Sequence, residues 1–167
     1  MGVSLVALAL VASGVVRFWT DCPYPCLDRA EAPASWSVQT GALLFRQEMT
    51  GAEVMVTRAF GVRWGAFQPV AGASLDAEGG AWAGAGVRWT LGSGPFTFET
   101  SFMPGLQMGG EQDLGHPVEF RSGVAFAWEM DGGATLALTV DHRSNAGLGD
   151  DNPGLETVGL RVSWALD

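Results

Sequence analysis

The sequence contains no lysine. Its nine basic residues are all arginine, set against 18 Asp and Glu, for a net charge of −9. That balance excludes a nucleic-acid binder that works by neutralising phosphates. Charge of either sign is scarce, at 16% of residues against the ~25% of ordinary soluble domains. Two cysteines and two histidines, not gathered into a ligand cluster, imply neither a metal nor a cofactor. No apolar run reaches the ~20 residues that a spanning helix needs. What is abundant is Gly (24), Phe (9) and Trp (7), in a chain that is 47% hydrophobic. The aromatic load excludes disorder, and 167 residues make one domain. The composition is that of a glycine-rich, charge-poor all-β protein.

Residues 1–34 read differently from the rest. Val3 to Val16 is a run of small and aliphatic residues with the length of a secretory h-region, expected to be an export signal or an uncleaved apolar leader. Cys22 and Cys26, in Cys-Pro-Tyr-Pro-Cys, are candidates to pair with each other in an oxidising compartment, although the two prolines limit the geometry.

From residue 35 to 167 the chain is a succession of period-two segments separated by turn chemistry. Eight are expected, at about 36–45, 53–64, 66–75, 81–91, 95–102, 118–129, 134–144 and 155–165. Met49-Thr50-Gly51, Gly65, Glu78-Gly79-Gly80, Gly92-Ser93-Gly94, 104–117, Asp131-Gly132-Gly133 and 146–154 supply the breaks. Loops of alternating length fit an up-and-down meander. Gly84-x-Gly86 leads into a strand and lacks a helix, so it is no nucleotide fingerprint. His116, before Pro117, reads as a turn residue, and Met103, Leu106 and Met108 as loop residues able to meet lipid or acyl chains.

Alternation alone does not say which face is wet, but the polar faces do. In 118–128, Val118, Phe120, Val124, Phe126 and Trp128 oppose Glu119, Arg121, Gly123, Ala125 and Ala127; in the last segment Val158, Leu160, Val162 and Trp164 oppose Thr157, Gly159, Arg161 and Ser163. A solvated sheet face carries long charged side chains. These faces carry small residues and a few Glu and Arg able to pair, which is the filling of a narrow lumen. The expected fold is an eight-stranded antiparallel up-and-down transmembrane β-barrel of the outer-membrane type. Arg58 interrupts the apolar face of Val54, Val56 and Phe60, marking either a bulge or the level of lipid phosphates.

Candidate chemistry lies in the last hairpin, Asp141-His-Arg-Ser-Asn-Ala-Gly-Leu-Gly-Asp-Asp-Asn-Pro-Gly-Leu-Glu156. His142 and Ser144 are two apart, so they share a strand face with Cα atoms ~6.6 Å apart. A serine hydroxyl needs a base to become a nucleophile, and that base needs an orienting acid. Glu156 is the available carboxylate, because Asp141 points to the opposite face. Matching apolar faces pairs Leu136 with Val162, Leu138 with Leu160 and Val140 with Val158. The same register sets His142 opposite Glu156. It also continues the lipid-facing row, so the three residues are expected on the barrel's outer wall at the external rim.

His-x-Ser-Asn, a Gly, then Asn-Pro-Gly and a Glu fourteen residues after the His resembles the signature of the outer-membrane lipid A 3-O-deacylases, the PagL family. The motif covers 142–156 tightly, and the resemblance extends loosely over 35–165. It implies Ser144 as nucleophile, His142 as base and Glu156 as orienting acid. It associates Asn145 and Asn152 with the oxyanion site and Gly147 with the approach of substrate. The implied reaction is hydrolysis of the ester that holds a 3-hydroxyacyl chain on lipid A, through an acyl-enzyme and without metal or cofactor. Lipopolysaccharide would reach the site by lateral diffusion among outer-membrane lipids. A homodimer is compatible with such a barrel. The alternative reading is a non-catalytic small barrel, or an assembly subunit, that has kept the motif.

Overall fold

The computed structural model describes residues 27–92 and 94–166. The apolar leader, Cys22 and Cys26 lie outside the described residues. Ten strands follow one another: β1 (Arg29–Glu31), β2 (Ser35–Phe45), β3 (Glu48–Ala59), β4 (Val62–Trp64), β5 (Gln68–Asp76), β6 (Ala81–Leu91), β7 (Phe96–Met108), β8 (Val118–Glu129), β9 (Ala134–Ser144) and β10 (Leu155–Ala165). Eight of them close into a barrel in the order β10-β2-β3-β5-β6-β7-β8-β9, while β1 and β4 form a separate two-stranded ribbon. Every barrel pair is antiparallel. Closure removes the unpaired edges that an open sheet would leave in lipid.

The expected eight-stranded barrel is therefore the observed one, with three local differences. The first hairpin turns at Arg46 and Gln47, both at positive φ (51° and 71°), rather than at Met49-Thr50-Gly51. Two-residue hairpins favour such primed turns, but neither residue advertises one. The surplus is absorbed by a register shift between Leu43 and Leu44. The second break lies at Phe60-Gly61 and β4, ahead of Gly65, and β1 pairs there from Arg29 opposite Trp64 to Glu31 opposite Val62. Strand β7 runs on through Pro104 to Met108. Pro104 costs only a gap in the β6–β7 ladder, between Gly84–Gly105 and Val87–Phe102. Met103 is thus a strand residue turned into the lumen, where it packs with Met55, Val70 and Trp82. Leu106 and Met108 are exposed on the same strand.

The barrel is apolar outside and polar inside. On β10, Val158, Leu160, Val162 and Trp164 are 41–52% exposed, while Thr157 and Ser163 are buried. Such a wall is stable only against hydrocarbon. Aromatic rings gather at the end that holds the termini and the 92–95 and 130–133 turns. There Phe96 stacks on Phe126 and Trp128 at 5.9 and 6.4 Å between ring centroids, and Trp36 pairs with Trp164. The longer loops, 109–117 and 145–154, lie at the other end. By the usual rule these short turns are periplasmic and the long loops external.

Ionic side chains fill the lumen. Arg121, wholly buried, donates to both carboxylate oxygens of Glu53 (3.0 and 2.7 Å) and to Asp141 (2.9 Å), with its guanidinium over the Trp82 ring. Ser74 and Thr157 also donate to Glu53, and Gln39 donates to Asp141. Arg143 donates to Gln107 and lies 3.6 Å from Glu53 and 3.7 Å from Glu119. Nearer the short-turn end, Arg161 donates to Glu99, and Arg88 lies 3.6 Å from the same carboxylate. The pairing expected inside the barrel is present.

Candidate active site

Parity places the site. Along β9, Asp141, Arg143 and then Asn145 turn inward and are buried, while His142 and Ser144 turn outward. Strand β10 begins with Leu155 inward, packed with Leu43 and Leu114 in a small apolar plug, and Glu156 outward. The β9–β10 register pairs His142 with Glu156, Val140 with Val158, Leu138 with Leu160 and Leu136 with Val162. All four pairs agree with those read from the apolar pattern. Hydrocarbon-facing side chains supply the reason, because a one-residue slip would turn all of them into the lumen.

His142 Nδ1 and Glu156 Oε1 are 3.2 Å apart, with the side chains 16% and 25% exposed. With Nδ1 donating to the carboxylate, Nε2 has no protein partner among the described residues and is the nitrogen free to accept a proton. Ser144 follows two residues later on the same face, opposite Phe120 of β8. It makes no hydrogen bond to His142 at rest, a contact that in such sites often tightens only around substrate. On the other flank of His142, Ser122 is its cross-strand partner, and the Ser122 hydroxyl donates to the His142 carbonyl.

The loop after Ser144 is held from within. Asn145 is fully buried, and its Nδ2 donates to the carbonyls of Leu114 and Asp151. Its Oδ1 accepts the Gly147 N–H at 2.7 Å, and its own N–H donates to Asn152 Oδ1 at 3.0 Å. The structure thus joins Asn145, Asn152 and Gly147 in one interlocked loop. The Asn145 amide fastens that loop to the β7–β8 loop rather than facing Ser144. Gly147 adopts a φ of +84° with open space where a Cβ would stand, so its requirement is conformational.

Gly154 is different, and its role was not visible in the sequence beyond its place in Asn-Pro-Gly. Extending the β9–β10 register by one step sets it beside Ser144. A Cβ at this position would stand 3.0 Å from His142 Cε1, 3.7 Å from Nδ1 and 3.8 Å from Glu156 Oε1, on a backbone at φ +76°. A side chain here would press on the imidazole edge, which would have to give by a few tenths of an ångström where it lies against Glu156. His116 is a turn residue as expected, its Nδ1 accepting the Val118 N–H at 3.0 Å.

Comparison with known proteins adds to this geometry. The family model described as lipid A 3-O-deacylase (PagL) matches residues 34–165. A crystal structure of the outer membrane enzyme PagL is similar in fold, with a TM-score of 0.63 at 17% identity, over 79% of this chain and 99% of that one. Neisserial surface protein A superposes with a TM-score of 0.58 at 6% identity, over 83% and 99% of the two chains. A de novo designed transmembrane β-barrel gives 0.57 at 9% identity, over 82% and 98%. No curated protein matches the chain by sequence. At these identities the structural likenesses speak for the barrel, and the family model speaks for more.

Proposed function

This chain belongs to the lipid A 3-O-deacylase (PagL) family, an assignment that places it in the bacterial outer membrane, and from that premise we propose that it hydrolyses the 3-O-linked hydroxyacyl ester of lipid A with Ser144, His142 and Glu156. The observation that carries the reading is the His142–Glu156 hydrogen bond across β9 and β10, with Ser144 on the same outward face at the long-loop end. His142 Nε2 takes the Ser144 proton as Oγ attacks the ester carbonyl, while Glu156 holds the tautomer and offsets the imidazolium charge. The Asn152 side-chain amide stabilises the oxyanion, while the Gly147 N–H is held by Asn145 Oδ1 and shapes the loop that substrate approaches. A donor of this kind is worth about 3–4 kcal/mol in comparable sites. Asn145 supports it through the shape of the loop. Collapse of the tetrahedral intermediate expels the sugar hydroxyl, which takes the proton from His142. Water activated by the same imidazole then releases the hydroxy fatty acid.

Because the site faces hydrocarbon, the substrate comes from the outer leaflet itself. Mass spectrometry of lipid A from cells with and without the gene tests the activity. Loss of one hydroxyacyl group in the expressing cells is the expected result. Unchanged lipid A, with folded protein in the outer membrane, would favour a non-catalytic barrel. Glu156→Ala is expected to lower kcat on the order of 10⁴-fold, less than loss of the nucleophile, because the orienting acid is the least indispensable of the three.

Gly154 gives a finer test. Gly154→Ala is expected to lower kcat about 10²-fold with little change in KM, since an imidazole displaced from Glu156 is poorly aimed at Ser144. Gly132→Ala is the control. It carries the same kind of backbone strain, at φ +97°, with nothing within 4 Å of the added carbon, and is expected to leave turnover unchanged. Equal activity in the two variants would show that the contact with His142 does not matter.

A further inference from the structure

The outward rows of the eight barrel strands carry three titratable side chains among the described residues. Two of them, His142 and Glu156, are bonded to each other. The third, Arg58, has no hydrogen bond or ion pair with any described residue, and its Nη1 is buried without a partner. Pairing through Arg58 is regular, with Trp36 on one side and Ala71 on the other. The register shift of this hairpin lies far away, between Leu43 and Leu44, so no bulge excuses the residue. Arg58 stands in the exposed apolar row of Val54, Val56 and Phe60.

A guanidinium left alone against hydrocarbon is costly. What surrounds this one is specific. Its carbon lies 5.3 Å from the centroid of the Trp36 ring, within cation–π range. Trp36 pairs laterally with Trp164, so the charge sits in a belt of indoles at the short-turn end, where such rings mark the headgroup level. That end is opposite to the one bearing Ser144. The stack covers one face of the guanidinium, and no carboxylate among the described residues pairs with it. A phosphodiester fits the guanidinium fork in charge and in geometry.

We propose that Arg58 and Trp36 form a binding site for the phosphodiester of a glycerophospholipid in the periplasmic leaflet. Arg58 donates to the phosphate oxygens, Trp36 holds the guanidinium in place, and the acyl chains lie along Val54 and Val56. The protein would then hold a lipid of one leaflet at Arg58 while its candidate catalytic residues face the other.

Native mass spectrometry of the full-length barrel, released from detergent with added phosphatidylglycerol, tests this. The expected result is one retained lipid on the wild type, at least tenfold less retention for Arg58→Gln, and intermediate retention for Arg58→Lys and Trp36→Leu. Trp36→Leu keeps the charge and decides the matter should Arg58→Gln fail to give a heat-modifiable barrel. Retention that is equal in wild type and Arg58→Gln, or in wild type and Trp36→Leu, would overturn the proposal. Displacement of the lipid by millimolar inorganic phosphate would also overturn it, by showing a site for the free ion.

Discussion

Ser144→Ala is expected to abolish ester hydrolysis while leaving a folded, heat-modifiable barrel. The serine closes β9 with its side chain on the outer wall, and its hydroxyl has no hydrogen bond to a described residue, so losing that hydroxyl removes the proposed nucleophile and almost no packing. In a comparable triad the nucleophile or the base alone is worth on the order of 10⁶ in kcat, and His142→Ala should be as severe. The measurement is turnover of purified lipid A by refolded variant protein, beside wild type with the same gel shift between boiled and unboiled samples. Wild-type turnover by Ser144→Ala would refute the assignment. Activity lost in Ser144→Ala but kept in Gly154→Ala would leave the triad standing and remove only the positioning argument.

The second large effect is on stability. Arg121→Met is expected to destabilise the barrel by about 3–5 kcal/mol, the range seen when one partner of a buried ion pair is removed. Arg121 is the common partner of Glu53 and Asp141, and it faces Arg143 directly across β8 and β9. Without it, two buried carboxylates lose their nearest cation and Arg143 remains alone near Glu53. Urea unfolding of the refolded protein in lipid vesicles measures the loss. The double variant Arg121→Met with Glu53→Gln should lose less than the sum of the single losses, because the second change removes a charge that the first left exposed to its own kind. A loss below about 1 kcal/mol for Arg121→Met would mean that lumenal water, not the ion pairs, balances these charges.

Those two expectations meet on one strand. Asp141 and Arg143 bind the interior, and His142 between them faces lipid, so the ionic filling that stabilises the barrel also sets the direction of the candidate base. This explains why so much of the hairpin was legible beforehand. Strict alternation on β9 and β10, with aliphatic residues on one face only, admits a single register, and Glu156 opposite His142 follows from it. Side-chain partners across distant strands were not legible. Nothing near Arg121 in sequence points to Glu53, and nothing near Asn145 points to the Leu114 carbonyl that it binds. Asn145 follows Ser144 directly, yet a one-residue step on a strand reverses the face. The turn at Arg46-Gln47 was hidden for another reason, since positive φ there is carried by residues that do not ordinarily signal it. Pro104 looked like a strand end because proline lacks a donor, but its effect is confined to a gap in the β6–β7 ladder, and on the other side it pairs with Phe120.

With Ser144 as the proposed nucleophile, its outward placement would also fix the units in which catalysis is counted. A site on the wall of a barrel samples the composition of the surface around it, not a bulk solution. Its saturation is governed by the mole fraction of substrate in the leaflet, and inert lipid or detergent acts as a diluent even when total substrate is unchanged. Both products of the proposed reaction would stay in the same plane after the bond breaks, since the site opens on the outer wall. The rate expected in a living envelope would then track how crowded the outer leaflet is with intact substrate, and it would decline as product builds up around the protein.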